Sequence, residues 1–196
     1  MSERNLPPLL AMDDELDRLE RKADGDIGTE VGEIRDRLDE FETRETSDDR
    51  QGDGRDSLLD DVDGILLRLR ERLSGEADRQ AEALQNRVRQ FRESRAGQSD
   101  TLSLAEPRLE QGGTAVDIAD RDGQQVDVRA TLVNAGEASD GVVRVAFYDG
   151  DGRPVRRVDL SERTVDGGEK RDVAATVSVP PEAMHYDVSV VDAESA

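Results

Sequence analysis

The sequence of 196 residues contains no cysteine, so disulfides, thiolate metal sites and cysteine nucleophiles are all excluded. It has no tryptophan, three phenylalanines and two tyrosines, too few to furnish the aromatic platforms of a carbohydrate cleft. A single histidine, His185, leaves no multi-histidine metal set. Lysine is nearly absent as well: Lys22 and Lys170 stand alone, and the remaining positive charge is arginine. No apolar run approaches the ~18 residues of a membrane span. The N-terminal stretch Met1-Ser-Glu-Arg-Asn-Leu-Pro-Pro8 also lacks the apolar segment of a secretory signal. The expected location is therefore the cytoplasm.

What the chain has in excess is carboxylate. There are 47 Asp and Glu against 27 Lys and Arg, a formal charge of −20. Carboxylates bind water and cations, and replacing lysine with arginine removes flexible apolar stems from the surface. Such a balance is tolerable where salt screens the self-repulsion. The composition thus points to a halophile, with a cytoplasm near saturating salt. A molecule this negative repels phosphate, so nucleic acid is not an expected partner.

The chain reads as two halves with different periods. Residues 1–100 hold 17 bases and 28 acids (−11), and residues 101–196 hold 10 and 19 (−9). In the first half, Leu9, Met12, Leu16, Leu19, Ala23, Ile27, Val31, Ile34, Leu38 and Phe41 follow steps of three and four. A narrow stripe of that kind is buried by a helix only against another helix. Gly25, Gly28 and Gly32 weaken the middle and predict a break or kink there. A second stripe runs Leu59, Val62, Leu66, Leu69, Leu73, Ala77, Ala81, Leu84, Val88 and Phe91, with a stutter near Leu73 and Gly75 that unwinds the seam without ending it. Between them residues 46–56 read as a loop, and Ser57 with Asp60 resembles a capping box that starts a helix before Leu58. The expected layout is a helical hairpin or coiled coil over 1–96, with helices about 9–45 and 57–95. Residues 9–45 carry 14 acids and 6 bases, whereas 64–99 carry 8 arginines and 5 acids, and this contrast favours pairing the two stretches with each other.

After a linker at 97–100, the period changes to two. Strands are expected at 101–105, 114–119, 125–133, 142–148, 154–160, 172–179 and 185–192, separated by turn signals such as Asp122-Gly123 and Asp149-Gly-Asp-Gly152. About seven short antiparallel strands over 101–193 predict a β-sandwich. Four segments then stand out: Val128-Arg-Ala-Thr-Leu-Val-Asn-Ala-Gly136, Val142-Val-Arg-Val-Ala-Phe-Tyr148, Val165-Asp-Gly-Gly-Glu-Lys-Arg-Asp-Val173 and Tyr186-Asp-Val-Ser-Val-Val-Asp192. Together they resemble the CARDB-type immunoglobulin-like domains. The resemblance implies an adhesion or spacer module, with no catalytic residue to carry over.

Motifs of chemical interest have plainer readings. Residues 49–60 echo a calcium loop, but Gln51 and Asp56 break its pattern. Asp149-Gly-Asp-Gly152 is first a hairpin turn, and His185 lacks a recognisable nucleophilic partner. The arginines from Arg87 to Arg95 read as a helix face matched to the acidic first helix. No catalytic, metal or cofactor residue is assigned. The expectation is a non-enzymatic structural or interaction protein that displays its sandwich as a docking module. Its helices would associate with a second copy, as a homodimer, or with another coiled-coil protein. Leu58, Ile65 and Leu67 flank the second seam, would stay wet on an isolated hairpin, and are the expected partner-binding residues. A regulatory adaptor for a small ligand or ion is the alternative, and a carboxylate-based hydrolase a remoter one.

Overall fold

A computed structural model of the chain describes residues 6–46, 53–95, 98–99 and 101–193. Four helices precede two antiparallel sheets, an α+β arrangement with no closed barrel. The chain divides into two compact units, Met1–Arg92 and Glu93–Ala196. The loop expected at 46–56 falls partly on residues outside the described set, as does part of the 97–100 linker.

The helical unit is not a two-helix hairpin. The break expected around Gly25–Gly32 is present and the second stretch breaks as well, giving α1 (Asp13–Lys22), α2 (Gly28–Thr46), α3 (Asp53–Arg70) and α4 (Gly75–Arg95). The first break lies at 23–27, ahead of Gly28 and Gly32, which α2 absorbs. The second lies at 71–74, where the stutter was expected to leave the seam intact. Gly75 there takes φ +61, a left-handed conformation that glycine adopts without steric cost. Leu73 N–H still reaches Leu69 O at 2.9 Å, and the chain then turns. The capping box also fails: α3 starts at Asp53, and Ser57 Oγ donates back to Gly54 O at 3.0 Å inside the helix. Arg44 Nη1, near the end of α2, donates to the same carbonyl at 2.8 Å.

These breaks let the segments fold back on one another. Phe41 on α2 meets Phe91 on α4 edge-to-face, with centroids 5.8 Å apart, a favoured aromatic geometry. Ion pairs join α1 to α2 (Arg35–Asp17), α1 to α4 (Lys22–Glu76, Arg87–Glu15), α2 to α3 (Arg37–Asp61) and α3 to α4 (Arg92–Asp60). The acidic–basic contrast between the two stretches is thus only partly used, since several pairs lie within one stretch. Every seam residue from Leu9 to Phe91 is buried except Ala23 and Leu73, which are half-buried.

In the second unit, β1 (Leu102–Gln111), β2 (Thr114–Ala115), β3 (Gln125–Asn134) and β7 (Lys170–Ser178) form one sheet in the order β2-β1-β3-β7. In the other, β4 (Ser139–Tyr148) is flanked on one side by β5 (Pro154–Asp159) and β6 (Arg163–Val165), and it also pairs with β8 (His185–Asp192). Inward residues of both sheets, including Val128, Leu132, Val145, Phe147, Val173 and Val190, share one apolar cluster. Alternation explains why: period two sends every second side chain of β3 and β7 to that cluster. The segment before β1 is tied down rather than free, since Ser99 N–H donates to Val190 O at 3.3 Å and Gln98 bridges to Val191.

Two of the quoted motifs lock together. Asn134, buried at the end of β3, donates from Nδ2 to Glu137 O (2.7 Å) and Val165 O (2.8 Å), and its Oδ1 accepts from Gly136 N–H (2.8 Å). A Cβ on Gly167 would lie 2.6 Å from Gly136 O, so the two turns touch through backbone. Replacing Asn134 with Ala strands the buried Val165 carbonyl and frees the part-buried Glu137 one. It is expected to cost about 1–3 kcal/mol, measured by chemical denaturation followed in the β-sheet signal.

Candidate functional site

The three residues expected to recruit a partner do not form a surface. Leu58 and Ile65 are buried within the helical unit, and Leu67 alone is exposed, at 51%. The physical reason is the pair of breaks described above. Four short helices bury within one chain the apolar edges that a two-helix hairpin would have offered to a second copy. The arginine tract is dispersed as well. Arg87 is buried on Glu15, Arg92 pairs with Asp60 on α3, and Arg89 is exposed.

The remaining motifs resolve locally. Asp149 Oδ1 accepts from Asp151 N–H (2.9 Å) and Arg153 N–H (2.8 Å), so that carboxylate builds the β4–β5 turn. His185 is half-buried at the start of β8. Residues 49–52 of the calcium-like loop lie outside the described set. Among the described residues no cluster of three or more His, Asp or Glu could hold a metal ion.

A different site emerges along the free edge of β5 and β6. Both strands pair only with β4, and β7 of the other sheet pairs only with β3, so two unpaired edges face the same opening. Between them runs a groove of about 250 Å³, floored by Val143, Val173 and Ala175 and rimmed by Ser161 and Arg163. Arg157 stands opposite Ala146 and Arg156 opposite Phe147. Adjacent strand residues project to opposite faces, so the two guanidinium groups flank the edge on both sides. Arg163, on β6, stands opposite Gly141 further along β4.

The three arginines make no direct ion pair among the described residues, although Arg157 lies close enough to Asp159 to help lower its pKa, behind Arg144. All three are exposed. The acid nearest Arg157 in sequence, Asp159, is already committed, and the acid beside Arg163, Glu162, is exposed. Asp159 accepts both Arg144 Nε (2.7 Å) and Nη2 (2.9 Å), a bidentate pair that lowers the Asp159 pKa and raises that of Arg144. Close by, burial and then Asp187 push the Tyr148 hydroxyl up to about 12, with Arg157 pulling the other way. Tyr186 is also raised, chiefly by burial, against the Leu109 N–H that donates to its hydroxyl at 3.4 Å. Both phenols are therefore neutral at physiological pH and contribute no negative charge to the edge.

Reading motif by motif passed over this site. The signal that could have found it is Arg156-Arg157, the one Arg-Arg pair in the sequence, within a run from Gly152 to Val158 that holds three arginines and no acid.

No family model matches the chain, and no curated protein matches it. Among solved structures, the chain is similar to the Pseudomonas fluorescens alkylpurine DNA glycosylase AlkC bound to DNA containing an abasic site analog. The TM-score is 0.34 and the identity 11%, over 68% of this chain and 42% of that one, so the chain spans less than half of that protein's length. A likeness this distant carries no argument about activity or ligand. The protein found is nonetheless an enzyme on DNA. The expectations of a non-enzymatic interaction protein, of no catalysis and of protein partners without nucleic acid stand against that finding and are not carried forward. In addition, no described helix is long and apolar enough to cross a membrane.

Proposed function

We propose that the β unit binds the sugar–phosphate backbone of an extended nucleic-acid strand along the β5–β6 edge. The observation that carries this reading is the set Arg156, Arg157 and Arg163, exposed on one free edge and without a carboxylate at ion-pair distance among the described residues, in a chain whose net charge is −20. Planar guanidinium groups suit phosphate oxygens because they donate in a fixed fork. From the position opposite Ala146 to that opposite Gly141 is five residues of β4, or ~17 Å at ~3.4 Å per residue. That length suits a polymer better than a lone anion. All five aromatic side chains are buried or half-buried, which leaves no stacking platform for bases. Binding is accordingly expected to follow the backbone and to be tolerant of sequence.

The finer fold reading, an immunoglobulin-like sandwich of CARDB type, draws support from the shared core of the two antiparallel sheets and from the interlocked Asn134 and Gly167 turns. The composition supports a working environment of high salt.

The test is fluorescence anisotropy of a labelled oligothymidylate titrated with the full chain at the lowest KCl concentration at which circular dichroism reports it folded, against the ~10⁻⁴–10⁻⁶ M that non-specific contacts give near physiological salt. The double variant Arg156→Glu with Arg157→Glu is expected to weaken binding at least about tenfold. Arg18→Glu with Arg21→Glu, the same charge change on exposed positions of α1, is the control and should change it far less. Equal loss in both variants, or no binding by the wild type, would overturn the reading.

A further inference from the structure

Arg87 lies in the middle of α4 with a side chain 1% exposed, and its guanidinium is spent on a segment almost eighty residues earlier. Nε donates to Leu9 O at 3.0 Å, and Nη2 donates to Pro8 O at 3.1 Å and Ala11 O at 2.8 Å. Nη1 faces Glu15 Oε1 at 3.3 Å. The carbonyls it gathers belong to the turn ahead of α1, which among the described residues is closed by Leu10 N–H and Ala11 N–H on Pro7 O. Met12, at the helix N-cap, makes no side-chain cap.

We infer that residues 6–12 form a releasable strap, held down by this guanidinium together with the buried Leu6, Leu9, Leu10 and Met12, and able to open without unfolding the helices beneath. Three features set it apart from the rest of the helical unit. It is short and non-helical, so its opening breaks few backbone hydrogen bonds. It joins α1 at an uncapped position, where nothing but Leu16 N–H on Met12 O continues the ladder. Its buried side chains, Leu6, Leu9, Leu10 and Met12, sit on backbone whose Pro8, Leu9 and Ala11 carbonyls are held by Arg87. Local opening of such a unit runs below the free energy of global unfolding.

Glu15 completes the device. Arg87 lies against the N-terminal end of α1, where the helix dipole is positive and a cation is disfavoured. Burial also disfavours its charged form, and Glu15 counters both effects. The latch is therefore a partly buried ion pair, its arginine enclosed and its Glu15 side chain 22% exposed, which salt screens less than the exposed pairs around it. In a molecule adapted to strong brine, it would hold under conditions where surface pairs count for little.

Native-state hydrogen exchange on the full chain at molar salt tests the inference. In Arg87→Gln the Leu10, Ala11 and Leu16 amides should exchange about 100-fold faster, the loss expected when a buried charge partner is removed. The Val31 amide, bonded to Ile27 O in the first turn of α2, should change less than about threefold if the opening is local. Arg87→Lys keeps the charge but not the fork, and should give an intermediate rise at the same amides, which keeps the test valid should the Gln variant fail to fold. An equal rise across α1 to α4, in either variant, would make Arg87 an ordinary core residue and overturn the strap. So would unchanged exchange at the Leu10, Ala11 and Leu16 amides.

Discussion

Leu66→Ala is expected to cost the helical unit about 2–5 kcal/mol, and Leu67→Ala, one residue further on, within about 0.5 kcal/mol. Leu66 is fully buried on the inner face of α3, whereas Leu67 is half exposed on the outer face. The same chemical deletion therefore leaves a cavity in one case and a slightly less greasy surface in the other. The contrast also tests the break at 71–74. If α3 continued into α4 as one long helix in a hairpin, Leu58 and Ile65 would be wet, and truncating them would be as harmless as truncating Leu67. In the folded-back arrangement Leu58 and Ile65 are 5% and 4% exposed, and Ile65→Ala should fall with Leu66→Ala. Guanidinium titrations followed by far-UV circular dichroism at constant ionic strength separate the two arrangements.

Removing salt is expected to loosen the whole molecule. At 1 M salt the Debye length is about 3 Å, and near 0.01 M it is about 30 Å. On dilution, 47 carboxylates against 27 bases pass from near-independence to mutual repulsion across a unit's width. Most ion pairs in the helical unit are exposed at one or both partners. Such pairs are worth at most about 1 kcal/mol each and do not offset a net −20. Helical ellipticity should drop cooperatively between about 3 M and about 0.05 M KCl as screening fades. A flat signal over that range would contradict the view that the charge is an adaptation to brine.

How much of this was legible beforehand depended on which physical rule governed each element. The β strands were readable because period two is forced wherever one face of a sheet is buried, and β3, β4, β7 and β8 lie within a few residues of their expected limits. The missed strand, β6, is three residues long, and Arg163-Thr-Val165 offers no alternation to detect. In the helical half the apolar stripes were correct, but the chain's path was not. A step of four in the stripe is compatible with both a stutter and a chain reversal. The outcome depended on Gly75 entering positive φ, which local pattern does not decide. That single misreading converted intramolecular burial into an expected dimer surface at Leu58, Ile65 and Leu67. The arginine edge was overlooked for a different reason. Net charge was applied to the molecule as a whole, yet phosphate responds to the few guanidinium groups within a Debye length. Whether a given arginine is neutralised is a fact of register, here the commitment of Asp159 to Arg144, and register is invisible before the strands are paired.

The backbone-binding reading turns on how many phosphates the edge neutralises, and the salt dependence of binding counts them. For single strands, log K falls with log salt at about −0.7 per contacted phosphate. Three arginines predict a slope near −2 for the wild type and near −0.7 for the chain carrying Arg156→Ala and Arg157→Ala. The slope is measured by anisotropy over KCl concentrations at which circular dichroism reports the folded chain. A shallower slope in the double variant is the predicted result. An identical slope in both proteins would mean that the β5 edge does not touch the strand.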